Sequence, residues 1–73
     1  MTVEEAYQSY GSKVFTASAE MNIVTIVRIL YGSDDDRYLN VLRVLNPRIN
    51  WSSLPAGAEI QYLDSSVIKE FLF

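Results

Sequence analysis

The chain contains neither cysteine nor histidine among its 73 residues. A single core in a domain of this size rarely leaves more than about 3–5 kcal/mol of net stability, so most such domains add disulfides, a metal or a partner. Disulfides are impossible here, and a structural zinc site would lack its usual ligands. We therefore expect a well-packed core, a partner protein or both, and we expect no cofactor and no metal.

The composition indicates a folded, acidic domain. Hydrophobic residues make up 49% of the chain and charged residues 21%, far from the composition of disordered proteins. Nine acidic and six basic side chains give a net charge of −3, which argues against nucleic-acid binding because such surfaces are basic. No apolar run is long enough to span a membrane. Residues 1–5 lack the basic start of a secretory signal, so we expect synthesis in the cytoplasm without export.

The inventory of reactive side chains argues against an enzyme. Without histidine and cysteine, the chain lacks the usual general base near neutral pH and the most competent nucleophile. Its only dense acidic cluster is Asp34–Asp36, which lacks the alternating ligands and the glycine of a calcium loop. Aspartate is a favoured first residue of helices, so we interpret this cluster as a helix start.

Hydrophobic periodicity and turn residues predict six segments in the order helix, strand, helix, helix, strand and helix-like tail. Thr2 and Glu5 match a capping box, Asn22 is a suitable N-cap, and Gly32 and Pro47 are typical of helix ends. The predicted ranges are 2–10, 13–17, 23–31, 36–45, 59–63 and 65–73. The two strands are expected to pair antiparallel in an α+β unit.

Three short motifs follow this order along the chain. Leu30–Gly32 ends the first central helix, Asn46–Asn50 (Asn-Pro-Arg-Ile-Asn) follows the second, and Leu54–Ile60 (Leu-Pro-Ala-Gly-Ala-Glu-Ile) leads into the second strand. Together they resemble the LysM family, whose pattern includes N-P-x-I-x after the second helix and L-x-x-G-x-x-(I/L) before the last strand. The resemblance extends from Val14 to Leu63.

The resemblance implies a LysM-like βααβ domain over residues 13–63, with a two-stranded antiparallel sheet and both helices on one face. Residues 1–12 would form an N-terminal extension with a short helix. Residues 64–73 would form an apolar C-terminal tail.

The resemblance also implies a candidate glycan site. LysM domains that bind peptidoglycan or chitin do so in a groove, which would correspond here to residues 20–23 and 47–53. In those members a glycine-aspartate-threonine turn opens the first helix, whereas this chain has Glu-Met-Asn-Ile at 20–23. The candidate glycan-binding residues are Met21, Asn22, Arg48, Asn50 and Trp51.

Short, single LysM-like proteins without a signal are similar to those of contractile phage tails and baseplates, where the fold packs between structural subunits. We therefore expect a non-enzymatic structural subunit of a phage tail or baseplate, located in the virion, whose partners are other tail proteins. A peptidoglycan-binding module that recognises N-acetylglucosamine glycans is the second hypothesis.

The predicted central helices carry more apolar surface than one small sheet can cover. Apolar residues of the helix over 23–31 span an arc of roughly 220°, and those of the helix over 36–45 span a similar one. A helix that faces a single core needs a stripe only slightly wider than about 100°. We expect part of the excess to contact another chain. The candidate interface residues are Tyr7, Tyr10, Ile26, Ile29, Leu39, Val44, Trp51, Phe71 and Phe73.

Two alternatives remain open at this point. The terminal segments could themselves cover part of the excess, with Tyr7, Tyr10, Phe71 and Phe73 as lids. Trp51 could stack on a sugar ring, pack against its own core or anchor a protein partner.

Overall fold

The computed structural model describes residues 1–18, 20–52 and 54–73, and these form a small α+β fold of four helices and a two-stranded antiparallel sheet. The elements are α1 (Val3–Tyr10), β1 (Lys13–Thr16), α2 (Ile23–Tyr31), α3 (Asp36–Leu45), β2 (Glu59–Tyr62) and α4 (Ser65–Phe71). All six predicted segments are confirmed to within two residues at each end, and so is the antiparallel pairing.

The helix starts follow from local side chains. Thr2 and Glu5 form the predicted capping box, with the Glu5 N–H donating to Thr2 Oγ1 (3.2 Å) and the Thr2 N–H donating to Glu5 Oε1 (3.1 Å). Asn22 Oδ1 accepts from the Thr25 N–H (3.0 Å). Asp35, in the acidic cluster, accepts from the Arg37 N–H (2.9 Å), which confirms the cluster as a helix start.

The core draws on five of the six elements, including both terminal helices. Ala6 of α1 and Ile68 of α4 are fully buried in the same cluster as the central residues. The other buried members of this cluster are Ile23, Ile26, Val27, Tyr38, Val41, Leu42, Leu54, Ile60 and Leu63. The terminal helices therefore complete the core and do not lie apart from it.

The structure contradicts the prediction that Ile26 is an interface residue. Ile26 has no exposed surface. Ile23, Ile26, Val27 and Leu30 follow the i, i+3, i+4, i+7 spacing, which puts Ile26 in the middle of the stripe that faces the core. The prediction for Ile26 is therefore wrong, because Ile26 lies at the centre of the apolar face of α2 that packs on the core and not at its margin.

The side chain of Asn46, which is only 6% exposed, joins the end of α3 to β2. Its Nδ2 donates to the Leu42 C=O (2.8 Å) and to the Gln61 C=O (2.8 Å), while its Oδ1 accepts from the Gln61 N–H (2.9 Å). The amide thus pairs with Gln61 as a neighbouring strand would. Pro47 follows directly and prevents further helix.

Aromatic contacts hold the C-terminal residues against the rest of the fold. Phe71 stacks on Tyr10 with ring centroids 5.0 Å apart, and Phe73 lies 4.8 Å from Tyr38. The Arg37 guanidinium lies 3.9 Å from the centroid of the Phe73 ring. Covering of the apolar excess of the central helices by the chain's own end is therefore confirmed for Phe73, which lies against Tyr38 of α3, whereas Phe71 packs on α1.

We expect Asn46→Ala to lower the free energy of unfolding by about 2–3 kcal/mol, because it leaves the Gln61 N–H and two carbonyls without their buried partner. Urea unfolding followed by circular dichroism measures the change. Asn40→Ala is the matched control: Asn40 is exposed on the same helix, so its substitution should change stability by less than about 0.5 kcal/mol. Equal unfolding midpoints for Asn46→Ala and the wild type would contradict this role.

Asp64 caps α4 by accepting from the Ser66 hydroxyl and N–H, and it also pairs with Lys13 Nζ (3.1 Å). Hydrogen bonds from Ser66 and then from Lys13 lower the pKa of Asp64 from 3.8 to about 2. Because the folded pKa lies below that of the unfolded chain, the carboxylate stabilises the fold above about pH 4, and this contribution is lost as the pH falls towards 2.

We therefore expect the urea midpoint of Asp64→Asn to fall less than that of the wild type between about pH 5 and pH 2. Ser66→Ala should also make the midpoint depend less on pH, since the Ser66 hydroxyl is the main cause of the lowered pKa of Asp64. A pH profile of Asp64→Asn parallel to that of the wild type would refute the assignment.

Candidate functional site: an apolar stripe and a polar cleft

The structure sorts the predicted interface residues by exposure. Exposed side chains are those of Tyr7, Tyr10, Ile29, Val44 and Phe73. Half-buried ones are Leu39, Trp51 and Phe71, all packed partly against neighbouring residues. With Ile26 in the core, most of the predicted set remains at the surface, but its members do not form one patch.

Four exposed side chains lie along one concave strip, which we call the apolar stripe: Met1, Tyr7, Val44 and Phe73. Each is between 40% and 55% exposed. Two shallow grooves make up the strip. One, of about 300 Å³, lies between α1 and α3, and the other, of about 280 Å³, lies between the N-terminal residues, α3 and the last two residues. Both grooves are lined by Val44, so the strip is continuous.

The floor of the stripe is anchored in the core. Val41 is buried, and Val3, Leu45 and Leu72 are half-buried and pack against the core cluster. They line the same two grooves. Since the floor is built from helices that the core already holds, the grooves exist before anything binds in them.

The charges near the stripe are largely compensated. Arg37 pairs with Asp35 (2.8 Å between Nη2 and Oδ2), and its guanidinium stacks on the Phe73 ring. The Asp35 partner raises the pKa of Arg37, and the guanidinium in turn lowers the pKa of Asp35. The other polar residues that line the two grooves are Thr2, Glu4, Gln8 and Asn40. The stripe is therefore an apolar strip with a weakly charged rim.

Other exposed apolar side chains lie outside these grooves. Val24 and Ile29 are on α2, and Val14 is on β1. Tyr10 is exposed on one side and stacks on Phe71 on the other. Met1, Val14 and Val24 were not among the predicted interface residues. For Val14 a signal existed, because strand alternation puts it on the opposite face from Phe15.

A polar cleft lies at the position that the LysM resemblance assigns to a glycan groove. It has a volume of about 480 Å³ and is lined by Glu20, Met21, Asn22, Thr25, Ser52 and Leu54. An isolated antiparallel bridge between Met21 and Leu54 joins its two sides. The structure therefore brings the turn before α2 and the loop after α3 together.

Only part of the predicted glycan set lines this cleft. Met21 and Asn22 do, whereas Arg48, Asn50 and Trp51 do not. Asn50 Oδ1 accepts from the Ser52 N–H (3.1 Å) and hydroxyl (2.6 Å), which shapes the loop. Trp51 is half-buried against the core, as in the intramolecular alternative. Ser53, within the predicted groove segment 47–53, lies outside the described residues.

The Asn22 side chain is already engaged in the fold. Its Oδ1 accepts from both the Thr25 N–H and the Thr25 hydroxyl (3.2 Å), so a ligand in the cleft would meet mainly its amide NH₂ group. Glu20, Thr25 and Ser52 were not predicted from the sequence. They lie on two segments about thirty positions apart, and only the bridge between these segments shows that they share a cleft.

Two further properties bear on the chemistry. Within the parts of the chain that the structure describes, no group of three His, Cys, Asp or Glu side chains is arranged to hold a metal ion. Among the same residues, no helix has both the length and the apolar character needed to cross a bilayer.

Comparisons with protein-family models, with curated proteins and with solved structures each found no match to this chain.

Proposed function

We propose that this chain is a non-enzymatic structural protein, a LysM-like packing adaptor that belongs to a phage tail or baseplate. The observation that carries the adaptor role is the continuous apolar stripe along α1, α3 and the chain ends. The LysM and virion parts of the proposal rest on the motifs at Leu30–Gly32, Asn46–Asn50 and Leu54–Ile60. They are supported by the order of the elements, two helices between two paired strands.

The composition of the stripe favours a protein partner. Aromatic residues and methionine are enriched at the cores of protein interfaces, where uncompensated charges are rare. Met1, Tyr7 and Phe73 supply such side chains, and Arg37 is neutralised by Asp35. A neighbouring subunit would place apolar side chains in the two grooves that meet at Val44. Because the groove walls are held by the core, binding would require little ordering of this chain.

The proposal is tested in phage particles with two variants that carry the same substitution. Val44 lies at the centre of the stripe and is 42% exposed, whereas Val24 lies on α2, outside the stripe, and is 37% exposed. We expect the wild type and Val24→Glu to co-sediment with tails in similar amounts, and Val44→Glu to be reduced about tenfold or more, as for a central interface residue.

Circular dichroism of the purified variants checks that both remain folded. Incorporation of Val44→Glu at the wild-type level would exclude the stripe as the docking surface. Absence of the wild-type protein from purified particles would exclude the phage assignment.

The polar cleft favours a second candidate function, the binding of peptidoglycan through N-acetylglucosamine glycans. Its lining combines hydroxyl, amide and carboxylate groups with the apolar Met21 and Leu54, a mixture suited to sugar rings. Titration of the ¹⁵N-labelled chain with chitotetraose is the test. If the cleft binds glycans, the amides of Met21, Thr25 and Ser52 will shift at millimolar sugar, and Ser52→Ala will weaken the response.

Asn40→Ala, in the groove lined by Val44 and outside the cleft, should leave this titration unchanged. Unperturbed amides around the cleft at millimolar chitotetraose would reject the glycan function and leave the adaptor proposal in place.

A further inference from the structure

The two strands of the sheet present different outer edges. On β2, the N–H and C=O of Gln61 point away from β1 and are both bonded by the Asn46 side chain. On β1, no described helix or strand other than β2 packs extensively along the strand. An open edge of this kind is a template for pairing with another chain, and proteins usually protect it.

The register identifies which groups of β1 face outward. Phe15 pairs with Ile60, Val14 with Gln61 and Thr16 with Glu59. The ladder continues to Ala17, whose N–H donates to the Ala58 C=O (2.9 Å). Hydrogen-bonded and non-bonded pairs alternate in an antiparallel ladder, so Phe15 bonds β2 while Val14 and Thr16 do not.

The bonds between Gln61 and Asn46 support the same assignment. Because the backbone groups of Gln61 point away from β1, Gln61 and its partner Val14 form a non-hydrogen-bonded pair, and the groups of Val14 point away from β2. Among the described residues, the outward N–H and C=O groups of Val14 and Thr16 have no hydrogen-bond partner. Both residues are exposed, Val14 to 51%.

We propose that β1 pairs antiparallel with β1 of a second copy of this chain, about a two-fold axis at Phe15, to form a four-stranded sheet. The Val14 N–H would donate to the C=O of the partner's Thr16, and the N–H of the partner's Thr16 would donate to the Val14 C=O. The symmetry repeats both bonds, so all eight outward groups of the two strands are satisfied by four hydrogen bonds. This pairing uses a surface distinct from the apolar stripe and does not depend on the proposed function.

The edge fits a copy of itself because its free groups are symmetric about Phe15. The exposed Val14 would lie beside the partner's Thr16 on one face of the sheet, and the two Phe15 rings would form a close cross-strand pair on the other. Lys13 would face the partner's Ala17, and its ammonium is already paired with Asp64 (3.1 Å). No like charges meet directly in this register.

The contact is short, so the association should be weak. Two hydrogen-bonded pairs bury much less area than a standard interface, and we expect a dissociation constant of about 0.1–1 mM. Sedimentation equilibrium and amide exchange of the ¹⁵N-labelled full chain, from about 0.02 to 2 mM, cover this range. In dilute solution the Val14 and Thr16 amides should exchange much faster than the Phe15 amide. At high concentration both should become protected as the average mass approaches that of a dimer.

Val14→Pro separates this pairing from other modes of association. Proline removes the outward N–H, which β2 does not use, and proline is tolerated at such edge positions. We expect this variant to stay monomeric throughout the concentration range, while Val14→Thr, which keeps the N–H, dimerises like the wild type. Val44→Glu should also dimerise like the wild type, because the stripe is a different surface.

If Val14→Pro fails to fold, Thr16→Pro tests the same edge at its second outward donor. A wild-type chain that is monomeric at 2 mM with unprotected Val14 and Thr16 amides would overturn the proposal. So would a folded Val14→Pro variant that dimerises with the wild-type affinity. Loss of the dimer in Val44→Glu alone would assign self-association to the stripe and reject pairing through β1.

Discussion

The Asn46 amide joins the end of α3, which local sequence specifies, to β2, which lies about fifteen residues further along the chain. α3 ends at this residue, and the same side chain holds β2 through both backbone groups of Gln61. A short side-chain amide can do this because it carries a donor and an acceptor in the same spacing as a peptide group. Because the sheet has only two short strands, the Asn46 side chain gives the outward N–H and C=O of Gln61 the hydrogen bonds that a third strand would otherwise provide.

The second constraint on the fold is that a small domain must bury enough apolar surface to be stable. A domain of this size without disulfides or metal depends on its core, and the chain meets that need by drawing both terminal helices into the same cluster, through Ala6 and Ile68. Phe71 and Phe73 then cover part of the surface of α1 and α3. Of the apolar side chains that remain exposed, about half lie in the two grooves that meet at Val44 and the others lie elsewhere on α1, α2 and β1. The surface in the grooves is the physical basis of the proposed adaptor role.

Much of the fold could be predicted, because the signals are local. Thr2 with Glu5, Asn22 and Gly32 mark helix ends within one turn of chain, and each is found in the role that its position indicates. The candidate sites were harder to predict. Ile26 was assigned to the surface because the apolar arc of its helix was known in width but not in orientation. Ser52 and Glu20 could not be assigned to one cleft before the bridge between Met21 and Leu54 was seen.

The amino-acid sequence by itself determined the order, type and ends of the helices and strands, and it excluded disulfides. Capping, periodicity and proline act over a few residues, so they can be read along the chain. Only the tertiary structure decided which apolar side chains stay exposed, which outward backbone groups of the sheet are bonded and which residues share a groove. These properties depend on contacts between segments far apart in sequence, such as Asn46 with Gln61 and Tyr38 with Phe73, and no local pattern specifies such contacts.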